Sequence, residues 1–160
     1  MTKLAMSLLL AELFGASPAP AQTESRLDAR IAQAIVDGCA AHAGAKMQSH
    51  AIAVVDTGGH LVAALRMDGN SSGMMDFALA KAQAVAAWGF STTDMVAGAK
   101  DTPGFAFAPH VVTVAGGIPI FSADGKTLLG AAGASGEAPQ DDAACVAAGI
   151  AAAGLRSSRP

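Results

Sequence analysis

The chain has no tyrosine, one tryptophan and six phenylalanines in 160 residues. Large aromatic anchors are scarce, so the core has to close by bringing backbones near one another. Charged residues make up 14% of the chain, the net charge is −3, and no block of basic residues occurs. Aromatics do not alternate with Arg or Lys, which argues against a nucleic-acid partner. After the N-terminus no apolar run reaches the ~20 residues of a membrane-crossing helix. There is no C-x-x-C, no H-E-x-x-H and no Walker loop, so these metal, redox and nucleotide signatures are missing. The two cysteines, Cys39 and Cys145, have no metal-ligand spacing to a histidine. They read as small buried residues on helix faces, and an exported protein could also bridge them.

What the chain does have is alanine and glycine, which supply much of its 52% hydrophobic content. At its start, Lys3 precedes a short apolar stretch from Leu4 to Phe14, followed by Ala19-Pro20-Ala21. That pattern reads as a signal peptide over residues 1–21, cleaved after Ala21. It leaves a single domain over residues 22–160, in the periplasm or secreted. Glu12 inside the apolar stretch opposes this reading. The other reading is an amphipathic helix at the start of a cytoplasmic protein.

Residues 23–154 carry no linker and no repeat. A helix is predicted from Ser25, with Asp28 as capping partner. Leu27, Ile31, Ala34, Ile35, Gly38 and His42 fall on its inner face. Ala51 to Val55 and His60 to Arg66 read as a hairpin around Asp56-Thr57-Gly58-Gly59. The first of these strands is apolar at every position, so both of its faces should be covered. Helices follow over Met74–Gly89 and Ser91–Lys100. Strands are expected at His110–Ala115, Ile118–Phe121 and Thr127–Ala134, and a last helix over Ala138–Gly154. The fold class is α+β, in the order α-β-β-α-α-β-β-β-α, with a five-stranded antiparallel sheet flanked by helices. It resembles a profilin-like or roadblock-like sandwich.

His60 opens the second strand beside a Gly-Gly turn, where an imidazole can ligate haem iron or simply face solvent. Arg66 offers a planar fork for a carboxylate, or pairs with Asp68 to shape the following loop. Ser135-Gly136 leads into the last helix, where backbone N–H groups favour anions. Glu137, Asp141 and Asp142 lie near that helix start, and the plainer reading there is capping. His42, His50 and His110 read as structural. G-x-S-x-G fails at Glu137, so no nucleophile elbow forms. Asp68 or Glu137 with Arg66 would suffice for a tautomerisation.

Several strings, taken in order, resemble the GlcG/HbpS-like haem-binding family. They are Ala53-Val54-Val55-Asp56-Thr57-Gly58-Gly59-His60-Leu61-Val62-Ala63, Arg66-Met67-Asp68-Gly69, Lys81-Ala82, Gly116-Gly117-Ile118-Pro119-Ile120, and Gly130 to Gly136 with Gln140-Asp141. The resemblance implies a profilin-like fold, a symmetric homo-oligomer, and haem or another small ligand as partner. The candidate ligand-binding set is His60, Arg66, Asp68, Gly117, Ser135 and Gly136, with His60 on haem iron. The alternative is a small-molecule isomerase or lyase acting on an organic acid, with Arg66, Asp68 and Glu137 as candidate catalytic residues. Relatives often place a Thr where this chain has Ala84, so no hydroxyl contact to haem arises there. In such a sandwich the terminal helices are neighbours, and we expect Cys39 and Cys145 to lie close together without a bond. Composition also points to an oligomer. Met74, Met75, Phe77, Trp88 and Phe90 crowd one helix region, more apolar surface than a small domain readily buries.

Overall fold

The computed structural model describes residues 26–160. The expected signal peptide and the predicted cap at Ser25 lie outside the described residues. Helix α1 (Ala29–Ala45) is capped by Asp28, whose carboxylate accepts from the Ile31 N–H at 2.7 Å. It is followed by β1 (Ala51–Asp56), β2 (Leu61–Arg66), α2 (Ser72–Trp88) and α3 (Thr92–Asp101). A 3-10 turn at Phe105–Phe107 then leads to β3 (Gly117–Phe121), β4 (Leu128–Ser135) and α4 (Pro139–Ala152). Ser91 and Asp94 form a complete capping box at the start of α3. Gly89, with φ 79°, ends α2 in the left-handed conformation that glycine adopts freely.

The sheet has four strands in the order β2-β1-β4-β3, every neighbouring pair antiparallel. The expected fifth strand, His110–Ala115, is absent. Its residues have strand propensity, but the strand that could pair with it runs out. The Ala134 N–H bonds the Gly116 carbonyl, and β4 ends one residue later at Ser135. The chain then turns away through Gly136, which has φ 143°. Gly117, expected in a turn, opens β3 opposite Gly133.

Period-two alternation on β1 feeds two cores. Ile52 and Val54, with Ala132 and Ala134 of β4, pack under Ile31, Ile35, Val36, Val146 and Ile150 of α1 and α4. Val55 and Ala131 meet Ala82 and Val85 of α2 on the other face, where Ala51 and Ala53 meet Ala78. Covered faces on both sides explain why β1 is apolar throughout. Each Ile or Val so buried contributes roughly 1.5–3 kcal/mol. The buried stripe of α1 runs through Ala32, Val36, Cys39 and Ala43, while Ala34, Gly38 and His42 are only partly buried. The expected inner face is thus rotated, because α1 packs on α4 as well as on the sheet.

Close backbone approach does what large side chains do elsewhere. A Cβ on Gly133 would collide with the Ala78 carbonyl and lie 2.8 Å from the Ala82 nitrogen, so α2 rests directly on β4. A Cβ on Gly149 would run into the Ile35 carbonyl, and one on Gly38 would lie 2.7 Å from the Ala152 Cβ. At this α1–α4 crossing Cys39 and Cys145 form a disulfide, with Cα atoms 4.6 Å apart. The expectation of proximity without a bond is therefore corrected. The glycine crossing draws the two helices within bridging distance.

Candidate functional site

The antiparallel registers sort the candidate residues to two ends of the sheet. The start of β1, the end of β2 and the end of β4 meet, with Ala51 opposite both Arg66 and Ser135. Arg66, Asp68, Ser135, Gly136 and Glu137 gather at this end. His60 lies at the other end, beyond the close of β1. The six steps from His60 to Arg66, at ~3.3 Å each, separate the two by roughly 20 Å.

At the first end, Arg66 donates to the Asn70 carbonyl rather than pairing with Asp68. The Asn70 amide donates to Ser49 Oγ at 2.8 Å, and that hydroxyl donates to the Asp68 carbonyl at 2.7 Å. The Ser49 N–H donates to Glu137 Oε1 at 3.0 Å. Asp68 and Arg66 are exposed, while Ser135 is buried and donates to Met74 Sδ at 3.5 Å. Gly136 is exposed, and a Cβ there would lie 2.6 Å from the Ser49 carbonyl. Gly117 is buried, its N–H donating to Thr92 Oγ1 at 2.9 Å. A Cβ there would lie 2.7 Å from the Lys81 carbonyl, so this glycine serves the packing of α2 on β3. These contacts tie the β2–α2 loop to the β4–α4 turn.

Beneath that turn lies a buried charge cluster that the sequence reading did not assemble. Asp142 Oδ2 accepts from Lys81 Nζ at 2.9 Å, and its Oδ1 lies 3.0 Å from His50 Nδ1. The Glu137 N–H also donates to Oδ1, at 3.2 Å. Lys81 gives a second bond to the Ala134 carbonyl at 2.9 Å and stands 4.8 Å from the centre of the Phe77 ring. Lys81, His50 and Asp142 are all buried. Asp142, read from sequence as a charge near the dipole of the last helix, instead neutralises a lysine inside the fold. The sequence signal for this was Lys81 itself, a cation on the apolar face formed by Ala78, Ala82 and Val85.

The second end is open. A groove of about 240 Å³ is lined by Thr57, Gly58 and Gly59 of the hairpin turn, Gln83 and Ala87 of α2, and His110. Gln83 donates to the Gly59 carbonyl at 3.2 Å and pins the turn to α2. The His60 ring stands over Gly58, where an added Cβ would come within 2.8 Å of its Nδ1 and Cε1. Its side chain is 82% exposed. Asp56 organises this turn. Its Oδ1 accepts from the N–H groups of Gly58 at 2.8 Å and His60 at 2.9 Å, and its Oδ2 lies 3.3 Å from His60 Nδ1. The His60 backbone N–H, helped by that of Gly58 and by the imidazole, holds the Asp56 carboxyl below the usual carboxylate range. An ionised carboxylate only accepts, so the imidazole Nδ1 is the donor of this contact and Nε2 is the ring nitrogen turned from Asp56. Because the folded value is depressed, the Asp56 carboxylate stays ionised at neutral and mildly acidic pH and is lost only as pH falls below the ordinary Asp range. His110 and Gln83 were not read from sequence as parts of one site with the hairpin. Chain distance concealed them.

The residues here fit haem as a donor set. A histidine with Nδ1 held by a carboxylate is oriented for metal ligation through Nε2. Gly58, Gly59 and Ala87 leave part of the groove wall without bulky side chains, beside Thr57, Gln83 and His110. Among the described residues no group of three or more His, Cys, Asp or Glu stands ready to hold a bare metal ion.

Comparison with known proteins gives several similar solved structures, three of which follow. A Klebsiella pneumoniae protein, ORFY, is 19% identical with a TM-score of 0.74, covering 86% of this chain and 97% of its own. A PduOC:haem complex is also 19% identical with a TM-score of 0.74, covering 84% and 99%. A double mutant of Streptomyces reticuli HbpS is 22% identical with a TM-score of 0.72, covering 89% and 97%. At these identities the likeness establishes the fold. No curated protein matches the chain. The family profile described as haem degrading protein HbpS-like matches residues 27–151, and with most of its length so matched the chain belongs to the HbpS-like family.

Proposed function

We propose that this protein binds haem in the groove between the 57–59 turn, α2 and His110, with His60 as an iron ligand. The observation that carries the reading is the exposed His60 imidazole, held by Asp56 at the end of the turn whose Thr57, Gly58 and Gly59 line the groove. Bound haem supplies the iron chemistry. The chain's own residues orient the imidazole, keep the Asp56 carboxylate ionised and fix the turn to α2. The PduOC:haem complex, a structural neighbour, is consistent with such a ligand. Haemin titration followed by the Soret band tests the reading. His60→Ala should weaken binding by tenfold or more, a loss of about 1.4 kcal/mol or greater. His42→Ala should leave binding unchanged, since His42 lies partly buried on α1. Equal losses in the two variants would overturn the assignment.

We further infer that the protein works as a symmetric homo-oligomer. Leu61 and Leu65, on the edge strand β2, are 54% and 37% exposed, and Phe107 is 90% exposed. An unpaired strand edge bearing apolar residues is a surface that proteins normally cover. Light scattering at micromolar concentration should give an even multiple of the chain mass, and a monomer mass would refute this.

We also propose export to the periplasm or beyond. The Cys39–Cys145 disulfide supports it, because such bonds persist in oxidising compartments. Intact-mass measurement on protein from the native host should find Gln22 as the first residue, whereas full-length cytoplasmic protein would contradict it.

A further inference from the structure

Among the described residues three buried side-chain atoms have no hydrogen-bond partner: His42 Nε2, Gln48 Oε1 and His50 Nε2. All three belong to the last turn of α1 and the connection from it to β1. Buried polar atoms are nearly always paired, so three in one short segment need a shared cause. The connection is also turned against its own hydropathy. Met47, with φ 56°, puts its side chain into solvent at 97% exposure, while Gln48 beside it turns its amide oxygen inward. The Gln48 N–H bonds back to the Ala43 carbonyl at 2.9 Å and fixes that choice.

The three residues meet the same turn of α4. Helices α1 and α4 run antiparallel, with Gly149 against the Ile35 carbonyl and Cys145 bridged to Cys39. His42, one turn beyond Cys39, therefore lies against the first turn of α4, which carries Asp142. His50 reaches that turn from the start of β1, its Nδ1 3.0 Å from Asp142 Oδ1. The Asp142 carboxylate, paired with Lys81, accepts, so Nδ1 is the donor and the buried ring offers Nε2 to a further partner. A carboxylate behind one ring nitrogen is how metal-ligating histidines are oriented. In the neutral ring Nε2 is then an acceptor, as Gln48 Oε1 always is, and a cation suits both.

We propose that this corner binds a divalent first-row transition ion through His42 Nε2, His50 Nε2 and Gln48 Oε1, with Asp142 as the positioning residue behind His50. Imidazole suits zinc, copper and nickel, and zinc takes nitrogen and oxygen donors together. The third donor is an amide, which is why no trio of His, Cys, Asp or Glu marks the site. It lies at the opposite end of β1 from His60 and is independent of the haem reading.

The disulfide-bonded protein, stripped with EDTA, is titrated with Zn2+ and Cu2+. Wild type should take up one Zn2+ per chain, and its Cu2+ form should give an EPR pattern split by two imidazole nitrogens. His42→Ala should weaken Zn2+ binding by about tenfold or more and reduce the splitting to one nitrogen. Gln48→Glu should tighten Zn2+ binding severalfold, a gain that a merely structural glutamine would not give. His60→Ala/His110→Ala should bind as wild type, which separates the site from exposed histidines. Denaturant melts without metal check that each variant is folded. No stoichiometric uptake by wild type would overturn the proposal and leave water as the partner of these atoms. So would a His42→Ala protein that binds as wild type, a Gln48→Glu protein that binds no tighter, or loss of binding in the His60/His110 variant.

Discussion

Removing the Cys39–Cys145 bridge should lower the unfolding free energy by about 4–5 kcal/mol. The bond joins residues 106 positions apart, so opening it releases most of the chain to the entropy of the denatured state. Domains of this kind hold a total of roughly 5–15 kcal/mol, so the loss is a large share of the margin. Both cysteines are buried, and alanine at each position leaves no polar atom unsatisfied. Urea denaturation of Cys39→Ala/Cys145→Ala against wild type reads the effect directly. A difference under about 1 kcal/mol would mean that the bridge contributes little beyond what helix packing already supplies.

Asp142→Ala should destabilise the protein by about 3–5 kcal/mol, because it strands a buried cation. Lys81 would keep the Ala134 carbonyl and the Phe77 ring but lose the counter-charge that justifies its burial. His50 Nδ1 and the Glu137 N–H would lose their acceptor in the same step. The double variant Lys81→Met/Asp142→Leu is expected to recover much of the loss, since well-packed apolar residues often replace a buried pair at no net cost. Denaturant melts of the single and double variants check both statements. A cost for Asp142→Ala below about 1 kcal/mol would show that water reaches the cluster and solvates Lys81.

The sequence announced features that depend on neighbours along the chain. The unbroken apolar run of β1 required cover on both faces, and α1 with α4 on one side and α2 on the other provide it. The Asp56-Thr57-Gly58-Gly59 turn was readable from its residues, as was the capped start of α3 at Ser91. The segment from His110 to Ala115 was misread because β-branched residues record a preference, while a strand also needs a partner edge, and β4 stops at Ser135. The disulfide was missed because bridging depends on Cα separation, which Gly38 and Gly149 set from within the helix crossing. The candidate residues were legible singly but not as a map. Counting along the chain gives no hint that His60 and Arg66, six positions apart, stand at opposite ends of a strand. Nor does it show that His50 and Lys81 converge on Asp142 from 92 and 61 positions away.

The order in which the ribosome releases this chain bears on how it can fold. Strand β1 emerges early and can make its hairpin with β2 at once, but its other edge belongs to β4, which pairs Ala51 with Ser135. At ~5–20 residues per second, that partner arrives several seconds after β1 has left the exit tunnel. Helix α1 waits longer still, since α4 follows β4 and carries the cysteine that Cys39 needs. A growing chain can therefore complete no more than its first hairpin and local helices. The central strand pair closes only once β4 has emerged, which leaves everything made before it threadable through a narrow channel until then.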